Sequence, residues 1–240
     1  MRSLIAVVTC RALAYPQNEL DSHLAGANDR IQTLLSTWYG DWLARFADKI
    51  DLQFFVGRGD GKANLPHYVE LDAPDNYTGL PEKVRKMFEF AVRSGYDHVL
   101  KADDDGYINF RRFEVVKADY AGIRKSGDYA GGGAYWLSRR AMEIVVERGI
   151  DDWAEDRGVG TLLAKHGIRL TDIPYIQPGR GIAAEYGHGC SCSDAACIAK
   201  RSKPVWEYFP DAAVITQLSP EQVRACHRFY ENSSRSDHRP

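Results

Sequence analysis

Short apolar runs alternate with helically spaced apolar positions along the first hundred residues. The runs of strand length lie at 4–8, 52–56, 68–71 and 98–101. Between them, apolar residues three or four positions apart predict one helix over about 28–46 and another from Leu80 to Gly95. The order strand, helix, strand, strand, helix, strand predicts an α/β fold whose central sheet is mainly parallel.

The second half of the chain continues with a glycine-rich strand and further helices. The predicted elements are a glycine run leading into a strand over Tyr129 to Ser138, and helices over 139–148, from Asp151 onward and over 220–230. Ser138 is placed to cap the first of these helices, and the polar tail 233–240 is expected to fray. Neither an internal repeat nor a linker interrupts the pattern, so the sequence predicts a single domain over 1–240.

Composition and charge add the expectation of an ordinary globular protein. The 240 residues include 44% hydrophobic and 27% charged residues, and the formal net charge is −2. A charge so close to neutral gives no general attraction to nucleic acid or to an anionic membrane. No stretch approaches the roughly 18 apolar residues of a membrane span, and the N-terminus lacks a signal-peptide cleavage pattern. We therefore expect a soluble, cytoplasmic protein.

Three of the five cysteines, Cys190, Cys192 and Cys197, lie within one short segment. Their arrangement is not that of a secreted disulfide framework. A zinc knuckle completed by His188 or His227 is one interpretation, although the usual Cys-x2-Cys spacing is missing. Reduced, partly packed thiols are the simpler interpretation.

Three consecutive carboxylates, Asp103, Asp104 and Asp105, follow the apolar run at 98–101. Buried together without partners, they would repel one another and be costly to desolvate. At the end of a strand, however, a hard divalent cation could neutralise them and bind their oxygens. Because side chains alternate along an extended chain, Asp103 and Asp105 can face one site while Asp104 points elsewhere. A solvated acidic turn is the alternative for an isolated triplet.

Four segments between residues 28 and 170 follow one another in a recognisable order. They are Arg30 to Trp38, with an Arg…Thr-Trp pattern; Tyr77 to Lys83, a Tyr-x-x-Leu-x-x-Lys element; Lys101 to Asp105, a Lys-x-Asp-Asp-Asp strand end that continues to Ile108-Asn109; and Gly132 to Ser138, a glycine-rich strand followed by Glu-Asp-x-x-x-Gly at Glu155 to Gly160. In this order the segments resemble the inverting β-1,3-glycosyltransferases, the galactosyl-, N-acetylglucosaminyl- and Fringe-type enzymes. The resemblance implies the GT-A fold, a Rossmann-like α/β domain.

The resemblance implies transfer of a sugar from a UDP-sugar to the hydroxyl of a saccharide, a protein or a modified nucleobase. It divides the chain into a nucleotide-sugar half over 1–110 and an acceptor half over 111–232. It also implies a Mn²⁺ or Mg²⁺ ion that stabilises the leaving diphosphate. Asp105 is then the first metal ligand, Asp103 contacts the metal or the donor, and an imidazole from the last third completes the shell. His188, between two glycines, is the candidate, with His227 next.

Asp156 matches the family's general base, which deprotonates the acceptor hydroxyl in a single inverting displacement, and Glu155 is the second candidate. Asp156 could instead be only a helix-cap carboxylate. The candidates for the donor site are Asp104, Lys101, Lys83, Thr9 and Arg11, and those for the acceptor site are Gly132, Gly133 and Trp153. Thr9, Arg11 and Lys83 could equally be ordinary surface or capping residues.

Two other functions fit parts of the sequence. The acidic cluster could serve a metal-dependent phosphohydrolase or nuclease, although such an enzyme would tend to need a second set of carboxylates. The cysteine segment and the arginines near the C-terminus could instead form a non-enzymatic zinc- or nucleic-acid-binding module. Those arginines are Arg224, Arg228, Arg235 and Arg239. The near-neutral charge and the four ordered segments favour the glycosyltransferase over both alternatives.

Overall fold

A seven-stranded sheet forms the centre of the molecule. The computed structural model describes residues 1–9, 27–59, 66–125, 127–173, 176–178, 212–216 and 218–236. The strands are β1 (Ser3–Val8), β2 (Asp51–Arg58), β3 (Tyr68–Pro74), β4 (His98–Asp103), β6 (Tyr120–Arg124), β7 (Ala130–Ser138) and β8 (Thr171–Asp172), in the order β3-β2-β1-β4-β7-β6-β8. A smaller sheet joins β5 (Tyr107–Ile108), β10 (Val214–Thr216) and β9 (Ile176–Pro178).

The large sheet is mostly parallel, which confirms the predicted α/β class. Strands β3, β2, β1 and β4 run parallel to one another, and β8 runs parallel to β6. Strand β7 is antiparallel to both of its neighbours, β4 and β6. The glycine-rich strand therefore lies directly beside the strand that carries the three carboxylates.

Helices cover both faces of this sheet. They are α1 (Ala27–Leu35), α2 (Trp38–Arg45), α3 (Leu80–Arg93), α4 (Arg139–Arg148), α5 (Glu155–Lys165) and α6 (Pro220–Ser236). Side chains of β1 alternate between the faces: Ile5 and Val7 pack with Trp38 of α2, whereas Leu4 and Ala6 pack with Met87 of α3. A strand buried on both faces reads as a continuous apolar run, as the N-terminus does.

The prediction of one continuous helix over 28–46 is wrong, because the chain breaks between α1 and α2. Thr37 has φ −123° and ψ −111°, outside the helical region. Its hydroxyl donates to the Thr33 carbonyl oxygen at 2.6 Å, so a side chain competes for a backbone acceptor at this point. The indole of Trp38 then donates to the Gly106 carbonyl oxygen at 2.9 Å. The apolar spacing continues across the break, which hid it from the sequence pattern.

Other helix ends agree more closely with the sequence. Helix α3 ends at Arg93, and Gly95 adopts φ +79°, a conformation that glycine reaches without strain. Ser138 Oγ accepts from the Ala141 amide at 3.3 Å, as predicted for a cap. Helix α5 begins at Glu155 rather than near Asp151, and α6 continues past residue 230 into the segment that was expected to fray. Among the described residues, no helix is long and apolar enough to cross a membrane.

Candidate functional site

Strand β4 delivers three carboxylates to the carboxyl end of the sheet, where open α/β sheets bind ligands. Asp103 is the last residue of the strand, and Asp104 and Asp105 form the turn that follows. Asp104 is buried, whereas Asp103 and Asp105 are half-buried. The triplet borders a cavity of about 150 Å³, which is also lined by Val8, Thr9, Arg30, Asn76, Tyr77, Leu80 and Lys83.

Asp104 is held by two side chains from other elements. Val8 of β1 pairs in register with Asp103, so Thr9, the next residue along, lies beside Asp104. Thr9 Oγ1 donates to Asp104 Oδ2 at 2.6 Å. On the other side, Arg30 Nε lies 3.5 Å from Asp104 Oδ1, and only 9% of each of these two side chains is exposed. Asp104 and Asp103 therefore point to different neighbours, as the alternation of an extended chain requires.

Lys83 joins the ends of β1 and β2 to the loop before α3. Its ammonium donates to Asp75 Oδ1 at 2.6 Å and to the Thr9 carbonyl oxygen at 3.1 Å. The same Asp75 oxygen accepts from the Gly57 amide at 2.7 Å. The side chains of Lys83 and Asp75 are almost fully buried, so this pair stiffens one wall of the cavity.

Lys101 is the centre of a second buried network. Its ammonium donates to Asp103 Oδ1 at 2.6 Å and to the Gly132 carbonyl oxygen, and lies 3.5 Å from Glu155 Oε2. Glu155 in turn accepts from the Tyr135 hydroxyl. Burial alone would lower the pKa of Lys101, but the Asp103 and Glu155 carboxylates outweigh it and raise the pKa above its usual value. Lys101 therefore stays charged.

The two acidic partners of Lys101 differ in exposure but are shifted in the same direction. Burial raises the pKa of Asp103, although the Lys101 ammonium opposes the shift. Burial also raises the pKa of Glu155, although the Lys101 ammonium and the hydrogen bond from Tyr135 act to lower it. An additional cation near these carboxylates would therefore favour their charged forms.

Asp156 lies in the first turn of α5, where the helix dipole favours a carboxylate. Its Oδ2 accepts from the Gly132 amide at 2.9 Å. A Cβ added to Gly132 would meet the Asp156 carboxyl group at 3.2 Å, which explains why a glycine suits this position. Gly132 thus bonds Asp156 through its amide and Lys101 through its carbonyl. The chain of contacts from Asp103 to Lys101, Gly132 and Asp156 brings the predicted base to the predicted metal-binding strand.

The other two candidates for the acceptor site lie in different surroundings. A Cβ on Gly133 would come within 2.5 Å of Thr216 Cβ, so this glycine permits close packing between β7 and β10. Trp153 is 70% exposed, and the guanidinium of Arg157 lies 5.8 Å from its ring centroid. Arg157 is fixed by two hydrogen bonds to Asp152, at 2.7 and 2.8 Å. Trp153 is therefore an exposed ring held beside Arg157, three positions before Asp156 in the sequence.

Several residues at the site had no individual role in the sequence analysis, among them Arg30, Tyr77 and Tyr135. Arg30 and Tyr77 line the cavity, and Tyr135 bonds Glu155. Burial raises the pKa of Tyr77, and the charges of Asp103 and Asp156 raise it further, so its hydroxyl stays neutral. Arg30 and Tyr77 each begin one of the ordered segments, and this position was the sequence signal that could have identified them. Tyr135 also lies in an ordered segment, the glycine-rich strand, but its local pattern is that of an ordinary residue of a buried strand.

The carboxylate oxygens of Asp103 and Asp105 are of the kind that Mn²⁺ and Mg²⁺ prefer. In the part of the chain that the structure describes, no group of three or more His, Cys, Asp and Glu side chains is arranged to hold a metal ion. The candidate ligand His188, the donor-site candidate Arg11 and the cysteine triplet lie outside the described residues. His227 faces Asp41 and Glu231, at 3.9 and 3.5 Å.

No protein-family model matches the chain, and no curated protein matches it. A solved structure from Desulfovibrio desulfuricans G20 is similar over 96% of this chain and 99% of that chain, with 13% identity and a TM-score of 0.49. Its description as a nucleotide-diphospho-sugar transferase is itself a provisional assignment.

Proposed function

We propose that this protein is a metal-dependent glycosyltransferase that moves a sugar from a UDP-sugar to an acceptor hydroxyl with inversion. The observation that carries the proposal is the contact chain from Asp103 through Lys101 and Gly132 to Asp156. Three hydrogen bonds connect a half-buried carboxylate at the end of β4 to a second one at the start of α5, although 53 positions separate them in the sequence. A single displacement needs the group that stabilises the leaving diphosphate and the base that deprotonates the acceptor hydroxyl on opposite sides of the reacting carbon.

The donor belongs in the cavity beside the three carboxylates. Asp105, Asp103 and His188 would hold Mn²⁺ or Mg²⁺, which neutralises the developing charge of the leaving diphosphate. The Lys83–Asp75 pair and Thr9 form the wall behind the donor. Lys101 holds Asp103 in place and compensates part of the negative charge of the site.

Asp156 is the base in this proposal, and Glu155 supports it. Glu155 is 3% exposed, and its oxygens face the Tyr135 hydroxyl and the Lys101 ammonium, so it is suited to orient Lys101. Asp156 is only partly buried and can reach a bound acceptor hydroxyl. The exposed ring of Trp153 offers an acceptor saccharide an apolar face.

The direct test is UDP release from a panel of UDP-sugars with Mn²⁺, with Mg²⁺ and with excess EDTA. We expect slow hydrolysis of one preferred donor that stops with EDTA, returns with Mn²⁺ and accelerates when the correct acceptor is added. Full activity in excess EDTA would reject the metal dependence. Cleavage of phosphate esters or nucleic acid without donor preference or transfer would favour the phosphohydrolase or nuclease instead.

A further inference from the structure

Arg30 is a buried cation at the wall of the donor cavity. The residue is 8% exposed, it lines the cavity, and its Nε has no hydrogen-bond partner among the described residues. Asp104 Oδ1 lies 3.5 Å from this nitrogen, which makes an ion pair without a hydrogen bond. A buried donor without an acceptor is destabilising, so such groups call for an explanation by function.

Asp104 has the geometry of a support for this arginine. Its Oδ2 is bonded to Thr9 and its Oδ1 faces Arg30, so each oxygen already faces a protein group. Only 9% of its side chain is exposed. A carboxylate held in this way can fix the position of a guanidinium while the guanidinium serves a ligand.

Lys83, the other cation of the cavity wall, is less suited to a ligand. Its ammonium lies 2.6 Å from Asp75 and also bonds the Thr9 carbonyl, and only 3% of its side chain is exposed. Arg30 has the looser contact with its carboxylate. A guanidinium also has several N–H donors in one plane, an arrangement that matches the oxygens of a phosphate group.

We infer that Arg30 binds the diphosphate of the donor and that Asp104 is its positioning residue, with no contact of its own to the donor. This inference rests on the proposed function and reassigns Asp104 within it. The diphosphate then lies between Arg30 and the cation held by the outer carboxylates. Without this arginine, the diphosphate of the donor would meet only the negative charge of the aspartate triplet on that side of the cavity.

The test is binding of UDP and of uridine, measured by isothermal titration calorimetry with Mn²⁺ present; GDP and ADP are titrated alongside. We expect Arg30→Gln to weaken UDP binding about 10-fold or more, the usual range for a charge-assisted hydrogen bond, and to leave uridine binding unchanged. Arg30→Lys keeps the ion pair with Asp104 and therefore the fold, but should still weaken UDP binding several-fold. Arg93→Gln, which makes the same charge change at a side chain that is 80% exposed, is the matched control.

The double variant separates positioning from direct contact. If Asp104 acts through Arg30, Asp104→Asn weakens UDP binding, and adding it to Arg30→Gln causes no further loss. Additive losses, or weaker uridine binding by Asp104→Asn, would overturn the positioning role. Unchanged UDP binding by Arg30→Lys and Arg30→Gln would overturn the inference alone, because wild-type binding of UDP would still support the donor site. Failure of the wild-type protein to bind any of the three nucleotides would overturn the proposed function and the inference together.

Discussion

Lys101 illustrates how a single residue organises the site. It carries a charge inside the sheet with no exposed surface, and it can do so because Asp103, Glu155 and the Gly132 carbonyl surround it. A buried ion cluster adds little net stability compared with apolar packing, but removal of one partner leaves the others uncompensated. Removal of Lys101 should therefore lower the free energy of unfolding by more than its contacts contribute to it.

Replacement of Lys101 by methionine measures this cost. We expect Lys101→Met to lower the free energy of unfolding by roughly 3–5 kcal/mol, since Asp103 and Glu155 would face each other without a cation. Denaturant unfolding at neutral pH gives the value. The exposed Lys117, replaced in the same way, should change stability by about 0.5 kcal/mol or less. A loss below about 1 kcal/mol for Lys101→Met would show that the cluster is not a unit.

Asp156 tests whether the proposed base is more than a structural carboxylate. Asparagine keeps the size of the side chain and can still accept from the Gly132 amide, so Asp156→Asn should retain most of the stability. Transfer should fall by roughly 10²-fold or more, because the amide cannot take the acceptor proton. UDP affinity should stay near that of the wild type, since the base acts on the acceptor.

Steady-state transfer assays and UDP titrations measure the two effects separately. The exposed Asp151, changed to asparagine, controls for loss of a nearby charge and should keep full activity. A fully active Asp156→Asn variant would leave Asp156 as a structural carboxylate.

At the scale of elements, two glycines of β7 allow this strand to pack closely against its neighbours. It lies between β4 and β6, bonds Asp156 of α5 through Gly132, and packs against β10 through Gly133. The contact with Thr216 leaves no room for a side chain at Gly133. This glycine therefore has a packing role, whether or not an acceptor passes close to it.

Gly133→Ala measures how tightly these elements are joined. The added Cβ would lie 2.5 Å from Thr216 Cβ, so β10 must move, and we expect a loss of about 1–3 kcal/mol in the free energy of unfolding. Gly40→Ala in α2 is the matched control, because nothing lies within 4 Å of the added atom. That change should be neutral or stabilise by up to about 1 kcal/mol. Equal effects of the two substitutions in thermal or denaturant unfolding would contradict the close packing.

At the scale of the whole molecule, the core encloses titratable groups that must stay protonated. Burial raises the pKa of Tyr96 to about 12, and it also raises the pKa values of Tyr107, Tyr120 and Tyr135 above their usual value of 10.0. The folded state therefore holds these protons more tightly than the unfolded chain does. The stability that results is fully present below pH 10 and is lost as the pH rises through the folded-state pKa values. The raised pKa of Lys101 acts in the same direction.

The expected result is a stability profile that falls steeply above about pH 10. Urea unfolding between pH 7 and pH 11, with tyrosinate absorbance recorded in the same samples, measures it. Tyrosinate absorbance of the buried tyrosines should appear together with unfolding. Ionisation of all 13 tyrosines near pH 10 in a fully folded protein would contradict the prediction.

The sequence predicted the elements of the first hundred residues well, because apolar periodicity reports burial directly. The four strands and the helix over 80–93 follow from it, and Gly95 and Ser138 mark helix ends through local backbone chemistry. The break at Thr37 was missed, since apolar spacing does not register a side chain that competes for a carbonyl. The antiparallel β7 was missed because the direction of a strand depends on its partner and not on its own pattern.

For the site, the sequence by itself determined which carboxylates lie at the end of β4, because that position follows from a local apolar run. It began α5 near Asp151, whereas the structure begins this helix at Glu155. Only the tertiary structure decided how they are used. Lys101, Gly132 and Asp156 meet because β7 pairs with β4 and α5 packs beside it, and these are contacts between residues tens of positions apart. Arg30 reaches Asp104 across 74 positions, and Glu155 is enclosed by Tyr135 and Lys101. Burial and partner choice are properties of the packed molecule, since they depend on which surfaces exclude water together.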